Sequence, residues 1–268
     1  MTSDVTEIHS KTVGGGRKHA QMPSHTVTSI MMTIGDILSR YGSLSAEAFD
    51  RLSNMNVSNL ELKKNQKLYS SSRGKSEIFL VKKGWISLCH VAKHRGHDIC
   101  NVYMPGDIVG VRESFFDNHN IALLALQNCQ LDKIYVDELH AVFKDYDDIK
   151  RAVVSYIMVN DNVALERLRS CTHLKAEERV AHFLLEIYAR YNYKEMVDSS
   201  LFYFPITQDV VGELLGITSV HVSRCLTALE QKKLIRKSRS TIRLLEPQRL
   251  AELTGFDEDM IYSHVRFV

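Results

Sequence analysis

Thr207-Gln208-Asp209-Val210-Val211-Gly212-Glu213-Leu214-Leu215-Gly216-Ile217-Thr218-Ser219-Val220-His221-Val222-Ser223-Arg224-Cys225-Leu226 is the stretch that decides how this chain is read. Gln208 to Leu215 reads as a short helix that Gly216 closes, because glycine takes left-handed backbone without steric cost. Thr218 then offers a hydroxyl to the free amides at the start of a second helix, running to about Lys232. Two short helices joined by a turn of roughly three to four residues containing Gly form a helix-turn-helix. In the second helix Val222, Cys225, Leu226 and Leu229 recur at helical spacing and face a core. Ser219, Val220, Ser223, Arg224 and Thr227 are left on the opposite face. Hydroxyls, one guanidinium and one branched apolar group are the inventory needed to read base edges in a major groove.

Downstream, Leu234 to Lys237 and Thr241 to Leu245 flank Ser238-Arg239-Ser240 and read as a β-hairpin, the wing of a winged helix. From His221 to Arg249 the basic residues are Arg224, Lys232, Lys233, Arg236, Lys237, Arg239, Arg243 and Arg249, against the acidic Glu230 and Glu246, a local charge of +6. The whole chain has 34 Lys+Arg and 32 Asp+Glu, a net +2, so everything else sums to −4. The segregation puts phosphate-binding charge beside the helix-turn-helix.

Upstream, Ala176 to Arg190 is an amphipathic helix with Val180, Phe183, Leu184 and Ile187 on its inner side. From Val136 a helical stripe continues through Leu139, Val142, Phe143, Ile149, Val153, Tyr156, Val163 and Leu168, broken by the polar Asn160-Asp161-Asn162. Ile149, Val153, Tyr156 and Val163 are therefore candidates for a dimer seam. The plain alternative is that this stripe packs on the rest of its own chain.

Before that helix the texture changes to short β-prone runs: Leu60 to Leu62, Ile78 to Val81, Trp85 to Val91, His97 to Met104 and Leu123 to Leu126. Their even spacing indicates an antiparallel barrel or jelly roll. Lys82-Lys83-Gly84 is a tight turn and Ala92 to Gly96 a hairpin loop. Two short helices precede the strands: from Ile30 the pattern is helical, with Ile34, Ile37, Leu38 and Tyr41 at helical spacing, and a second opens at Leu44-Ser45 and runs through Phe49 and Leu52. After Pro105-Gly106-Asp107, Ile108 to Asn120 has no clear period, and Gly110, Arg112, Glu113 and Ser114 are candidates to line a pocket.

A length of 268 residues suits two domains, and 44% hydrophobic with 25% charged residues excludes fibrous and disordered classes for the chain as a whole. The cysteines Cys89, Cys100, Cys129, Cys171 and Cys225 form an odd set without a C-x-x-C pair, as expected of a reducing cytosol. The first 28 residues contain no apolar run of a secretory signal, and no segment approaches a membrane span, so a cytoplasmic protein with no membrane partner is expected. His90, His94 and His97 crowd one hairpin with Cys89 and Cys100, which makes a cupin-like metalloprotein or enzyme the rival reading. No second histidine-bearing strand with a nearby glutamate completes its ligand set. Nucleophile-elbow, phosphate-loop and dinucleotide motifs are also missing, so no catalytic residue is expected. Control by oxidation of Cys89, Cys100 or Cys171 stays open.

From about residue 30 to 248 these features resemble, in order, the Crp/Fnr transcription regulators. The resemblance rests on Ile206-Thr207-Gln208-Asp209-Val210, Gly216 to Arg224, Leu229-Glu230 and Leu234-Ile235, with Gly84-Trp85 and Pro105-Gly106-Asp107-Ile108-Val109-Gly110 in the barrel. It implies an α+β fold: a flexible tail over 1–28, a cyclic-nucleotide-binding-like antiparallel barrel or jelly roll over 29–136, a dimerisation helix region over 137–173, a Crp-type winged helix-turn-helix over 174–248 and an extension over 249–268. It also implies a homodimer on a roughly palindromic site in double-stranded DNA, in contact with RNA polymerase. Arg224 matches the family arginine that reads guanine, and Ser223 a serine of the oxygen-sensing branch. Val220 stands where both branches carry glutamate and is suited to a thymine methyl instead. Thr207, Gln208 and His221 match phosphate contacts, and Arg239 sits at the wing tip.

Two departures bear on ligands. The cyclic-AMP-binding members carry an Arg-Ser pair at the phosphate end of the pocket, where this chain has Asn120-Ile121-Ala122-Leu123. Ile and Ala cannot compensate a buried phosphate, so tight cyclic-nucleotide binding is not expected, and Ala122 joins the pocket candidates. No cysteine precedes Cys89, so the iron–sulfur cluster of the oxygen-sensing branch is not expected. No cofactor follows from these residues, and they name no effector.

Overall fold

The structure, a computed structural model, describes residues 32–69, 77–92, 96–116, 121–194, 196 and 200–263. The expected tail at 1–28, His94 and Asn120 lie outside the described residues. Two four-stranded antiparallel sheets face each other across an apolar interior. One contains β1 (Ser58–Leu62), β8 (Cys129–Tyr135), β3 (Glu77–Lys83) and β6 (Ile108–Val109) in that spatial order. The other contains β2 (Lys67–Tyr69), β7 (Ile121–Ala125), β4 (Ile86–Ala92) and β5 (Gly96–Tyr103). Their shared core includes Leu62, Phe79, Val81, Ile86, Leu88, Tyr103, Leu123 and Leu131.

Strand β3 is buried on both faces, which explains its unbroken apolar run. Phe79 and Val81 enter the barrel, while Ile78 and Leu80 meet a second core built by helices. Those helices are α1 (Ile34–Leu38), α2 (Ala46–Ser53), α3 (Val136–Asp145) and the long α4 (Asp147–His173). Thr33 caps α1 with a reciprocal box to Asp36, and Ser45 caps α2.

β8 is missing from the sequence reading although it is central to its sheet. It pairs with β1 from Ser58↔Lys133 to Leu62↔Cys129 and with β3 from Glu77↔Tyr135 onward. Its buried residues are Cys129 and Leu131 on the barrel face and Ile134 on the opposite face against the helices, so the apolar positions change face along the strand and hide the period of two.

The helix region divides at Tyr146 (φ −132°, ψ 102°), not at Asn160-Asp161-Asn162. Asp147 and Asp148 suit the start of α4, and Asp148 also accepts from the Ser45 amide at 2.8 Å. The polar triplet stays helical because its side chains find partners. Asn160 donates to Tyr156 O at 2.8 Å, Asp161 pairs with Arg112 at 3.7 Å, and Asn162 donates to Ile261 O at 3.2 Å.

Ile149, Val153, Tyr156 and Val163 are all buried inside the protomer, at most 3% exposed. Ile149, Val153 and Tyr156 join the core with α1, α2 and β3, while Val163 packs with Ile261. Their assignment to a dimer seam is therefore corrected: the stripe faces its own chain. Among the described residues, the exposed large apolar side chains of α4 are Val154 (43% exposed), Met158 (45%), Leu165 (60%) and Leu168 (59%), on the opposite side of the helix.

Candidate nucleic-acid interface

Beyond α4 the two extended residues Leu174 and Lys175 lead into α5 (Ala176–Tyr193). Val180, Phe183, Leu184 and Ile187 are buried, and α5 forms the floor of the C-terminal domain. On it lie α6 (Gln208–Leu215) and α7 (Ser219–Gln231), followed by a three-stranded antiparallel sheet in the order β10 (Ile235–Lys237), β11 (Thr241–Leu244), β9 (Leu201–Tyr203). β9 has no counterpart in the sequence reading; three residues are too few to show a period.

The helix-turn-helix is held by local chemistry. Thr207 caps α6, accepting from Val210 N, and Thr218 caps α7, accepting from His221 N at 3.2 Å. Gly216 closes α6 at φ +66°, ψ 34°, in the left-handed region. Gly212 answers a different need. A Cβ there would lie 2.5 Å from Ile217 O and 3.3 Å from Ser219 N, so the two helices can approach only at a glycine.

Val222, Cys225, Leu226 and Leu229 are at most 5% exposed, as the spacing requires. The outer face is open: Val220 is 61% exposed, His221, Arg224 and Thr227 are exposed, and Ser219 and Ser223 are half-buried. Thr227 donates to Ser223 O at 3.0 Å, which fixes its hydroxyl against the helix. Thr207 is exposed and Gln208 half-buried at the start of α6. In the wing, Arg236 and Arg243 are cross-strand partners and both are exposed, while Arg239 stands exposed in the turn where Ser238 N donates to Thr241 O at 2.9 Å. Like charges placed opposite one another repel unless an anion lies between them. Lys232 is diverted from this surface, paired with Glu177 of α5.

The pocket candidates are divided: Gly110, Arg112, Glu113 and Ser114 follow β6, and Ala122 lies in β7 of the other sheet. Gly110 follows β6 at φ +91°, where a Cβ would lie 3.1 Å from Glu77 O. Arg112 is exposed, 3.6 Å from Glu113 and 3.7 Å from Asp161, with its guanidinium 5.3 Å from the centre of the Phe116 ring. Glu113 is buried and Ser114 donates to Val111 O at 2.7 Å. Ala122 is buried in β7, paired with Tyr69 and Cys89. A groove of about 340 Å³ between α2 and α3, lined by Arg51, Asn54, Asp137 and Glu138, includes none of these five.

Of the hairpin histidines, His90 is exposed and pairs with Asp98, and His97 pairs with Val91. Among the described residues no group of His, Cys, Asp and Glu side chains could hold a metal ion. No described helix is long and apolar enough to cross a membrane.

The barrel, the long helix and the winged helix-turn-helix define a DNA-binding transcription regulator with a cyclic-nucleotide-binding-like barrel. Residues 178–253 match the family model of the Crp-like helix-turn-helix domain. The transcriptional activator protein Anr of Pseudomonas protegens is 22% identical over 213 residues, covering 80% of this chain and 87% of that one. FnrA, a transcriptional activator protein of Stutzerimonas stutzeri, is 24% identical over 216 residues with the same shares covered. The structure of FixK2 from Bradyrhizobium japonicum shares the fold, with a TM-score of 0.65 at 21% identity over 74% of this chain and 98% of that one. In its Crp-like helix-turn-helix domain, its sequence and its fold, the chain is similar to transcriptional regulators of the Crp/Fnr type. The cupin-like alternative finds no support among these relatives.

Proposed function

We propose that this regulator binds a two-fold-symmetric operator in double-stranded DNA as a homodimer, with α7 of each protomer in the major groove. The observation that carries the reading is the division of α7: one face is locked into the domain core, and the other presents Ser219, Val220, Ser223, Arg224 and Thr227 to solvent beside a basic wing. Arg224 has the bidentate donors that guanine O6 and N7 accept, and Val220 packs a thymine methyl. Thr207, Gln208, His221 and Arg239 contact phosphates and set the register.

The free apolar residues of α4 support the dimer. Val154, Met158, Asp161, Leu165, Leu168 and Thr172 follow spacings of 4, 3, 4, 3 and 4, the repeat of a two-helix seam, and all six are exposed in the single chain. Half-sites about one helical turn apart, roughly 34–36 Å, follow from two symmetric recognition helices. Gly110, Arg112, Glu113, Ser114 and Ala122 remain the proposed effector region. A regulator of this kind works in the cytoplasm in contact with RNA polymerase and is not an enzyme; the activator relatives support that reading.

Selection of bound fragments from random duplex DNA tests the proposal. A palindromic consensus with guanine at the Arg224 position is expected. Recovery of sequences without two-fold symmetry would overturn it.

A further inference from the structure

The chain continues past the winged domain through α8 (Pro247–Thr254), turns at Gly255 (φ +62°) and forms α9 (Asp259–Tyr262). The family match stops at residue 253, so this last segment is an addition to the matched domain. Its residues are tied to three other elements. Phe256 meets the His182 ring of α5 edge-on, with centroids 5.2 Å apart. Gly255 O accepts from Arg169 of α4 at 3.1 Å, and Ile261 O accepts from Asn162 of α4 at 3.2 Å. The Ile261 side chain is fully buried against Val159 and Val163. Tyr262 stacks on Tyr193 at the end of α5, 4.1 Å between centroids, and the Tyr193 hydroxyl donates to Arg40 O just beyond α1.

These contacts add to a joint whose covalent part is short: α4 and α5 are connected by Leu174 and Lys175, both extended, so the angle between the long helix and the DNA-reading domain is set by packing and by the buried Arg167–Glu186 pair, which the last segment reinforces from the other end. We infer that residues 255–262 are an intramolecular strap that fixes the winged domain on α4 and α1 in the orientation operator binding requires. The strap positions the reader and does not mask it: with Ile261 seated, Val220 and Arg224 on α7 and Arg239 in the wing are all exposed. The inference rests on the operator-binding reading for its affinity readout, and two further readouts are independent of DNA.

The test compares the full chain with Ile261→Asp and the milder Tyr262→Ala. Each is assayed for affinity to the operator selected by the parent, for tryptic cleavage after the exposed Lys175, and for fluorescence of Trp85, the chain's one tryptophan. Trp85 is fully buried against Tyr191 and Phe204 of the C-terminal domain, so it reports whether that domain shifts on the barrel. The strap predicts faster cleavage, a red-shifted emission and a loss of operator affinity of roughly 5- to 150-fold, the usual range of coupling between sites, for Ile261→Asp. Tyr262→Ala is expected to change each readout in the same direction by less, and it carries the test if Ile261→Asp does not fold. Unchanged cleavage and emission in the folded variants would overturn the strap, and tighter operator binding would overturn its positioning role. If the parent binds no operator, the operator reading fails, and cleavage and emission still decide the strap.

Discussion

Arg190 of α5 donates through Nη2 to Asp107 Oδ2 at 2.8 Å, joining the first helix of the DNA-reading domain to the Pro105-Gly106-Asp107 turn of the barrel. The same nitrogen donates to Val102 O at 2.9 Å, and Lys194 pairs with the other Asp107 oxygen. All three charged side chains are at most 4% exposed. Burial alone would raise the Asp107 carboxyl; the Lys194 ammonium and Arg190 guanidinium outweigh it and hold the group below the ordinary carboxylate range. Burial pushes the Lys194 ammonium down to about 8, against the pull of Asp107. Removing one partner from such a cluster leaves the others buried and uncompensated.

Asp107→Asn is therefore expected to destabilise the fold by about 3–5 kcal/mol, read from denaturant unfolding. The sign of its pH dependence follows from the depressed carboxyl. The Asp107 contribution is fully present above the unfolded-state value of about 3.9 and is lost as pH falls through the lower folded-state value. Asp107→Asn should remove that part of the acid sensitivity. An identical acid-unfolding midpoint, relative to neutral stability, would show that other carboxylates carry it.

Replacing Arg224 with Ala should cost about 1–3 kcal/mol at the selected operator and relax the preference at one base pair, with thermal stability unchanged because the side chain is exposed. Lys237→Ala in the wing should instead weaken all sequences alike and shallow the salt dependence. Equilibrium binding at two salt concentrations separates the two outcomes.

Two substitutions on opposite sides of α4 should behave differently. Leu165→Glu should leave the protomer folded and dissociate the dimer, since roughly 1.5–3 kcal/mol per buried leucine is lost. Val153→Glu should unfold the protomer, because Val153 is 2% exposed within it. Asp161→Ala should change the dimer far less than Leu165→Glu, because Arg112 at 3.7 Å already balances the Asp161 charge. Sedimentation velocity combined with circular dichroism checks all three.

In the helix-turn-helix, Gly216→Ala should cost about 1–2 kcal/mol, the penalty for left-handed backbone at a residue with a Cβ. Gly212→Ala should cost more, since its Cβ would lie 2.5 Å from Ile217 O, a backbone atom that cannot swing aside. Thermal unfolding of the two variants gives the order, and the reverse order would mean that the turn between α6 and α7 yields more easily than its close contact implies.

The reading face of α7 was legible because every feature that makes it is local. Caps, a closing glycine and apolar spacing lie within about twenty-five consecutive residues, and each acts on its neighbours in the chain. The barrel was partly legible: five strands stood out as apolar or alternating runs. β8 did not, because its buried residues change face along the strand, with Leu131 toward the barrel core and Ile134 toward the helical core.

What this chain settles by itself is the winged helix-turn-helix, with its polar outer face and its basic wing, since helix period, capping and charge are properties of short range. The tertiary structure alone decides which side of α4 is free. Ile149, Val153, Tyr156 and Val163 form as good an apolar stripe as any seam, and only the arrival of α1, α2, β3 and Ile261 on that stripe leaves Val154, Met158, Leu165 and Leu168 uncovered. Periodicity states that a face is apolar; what covers it depends on residues distant in the chain, and burial is settled only when they meet.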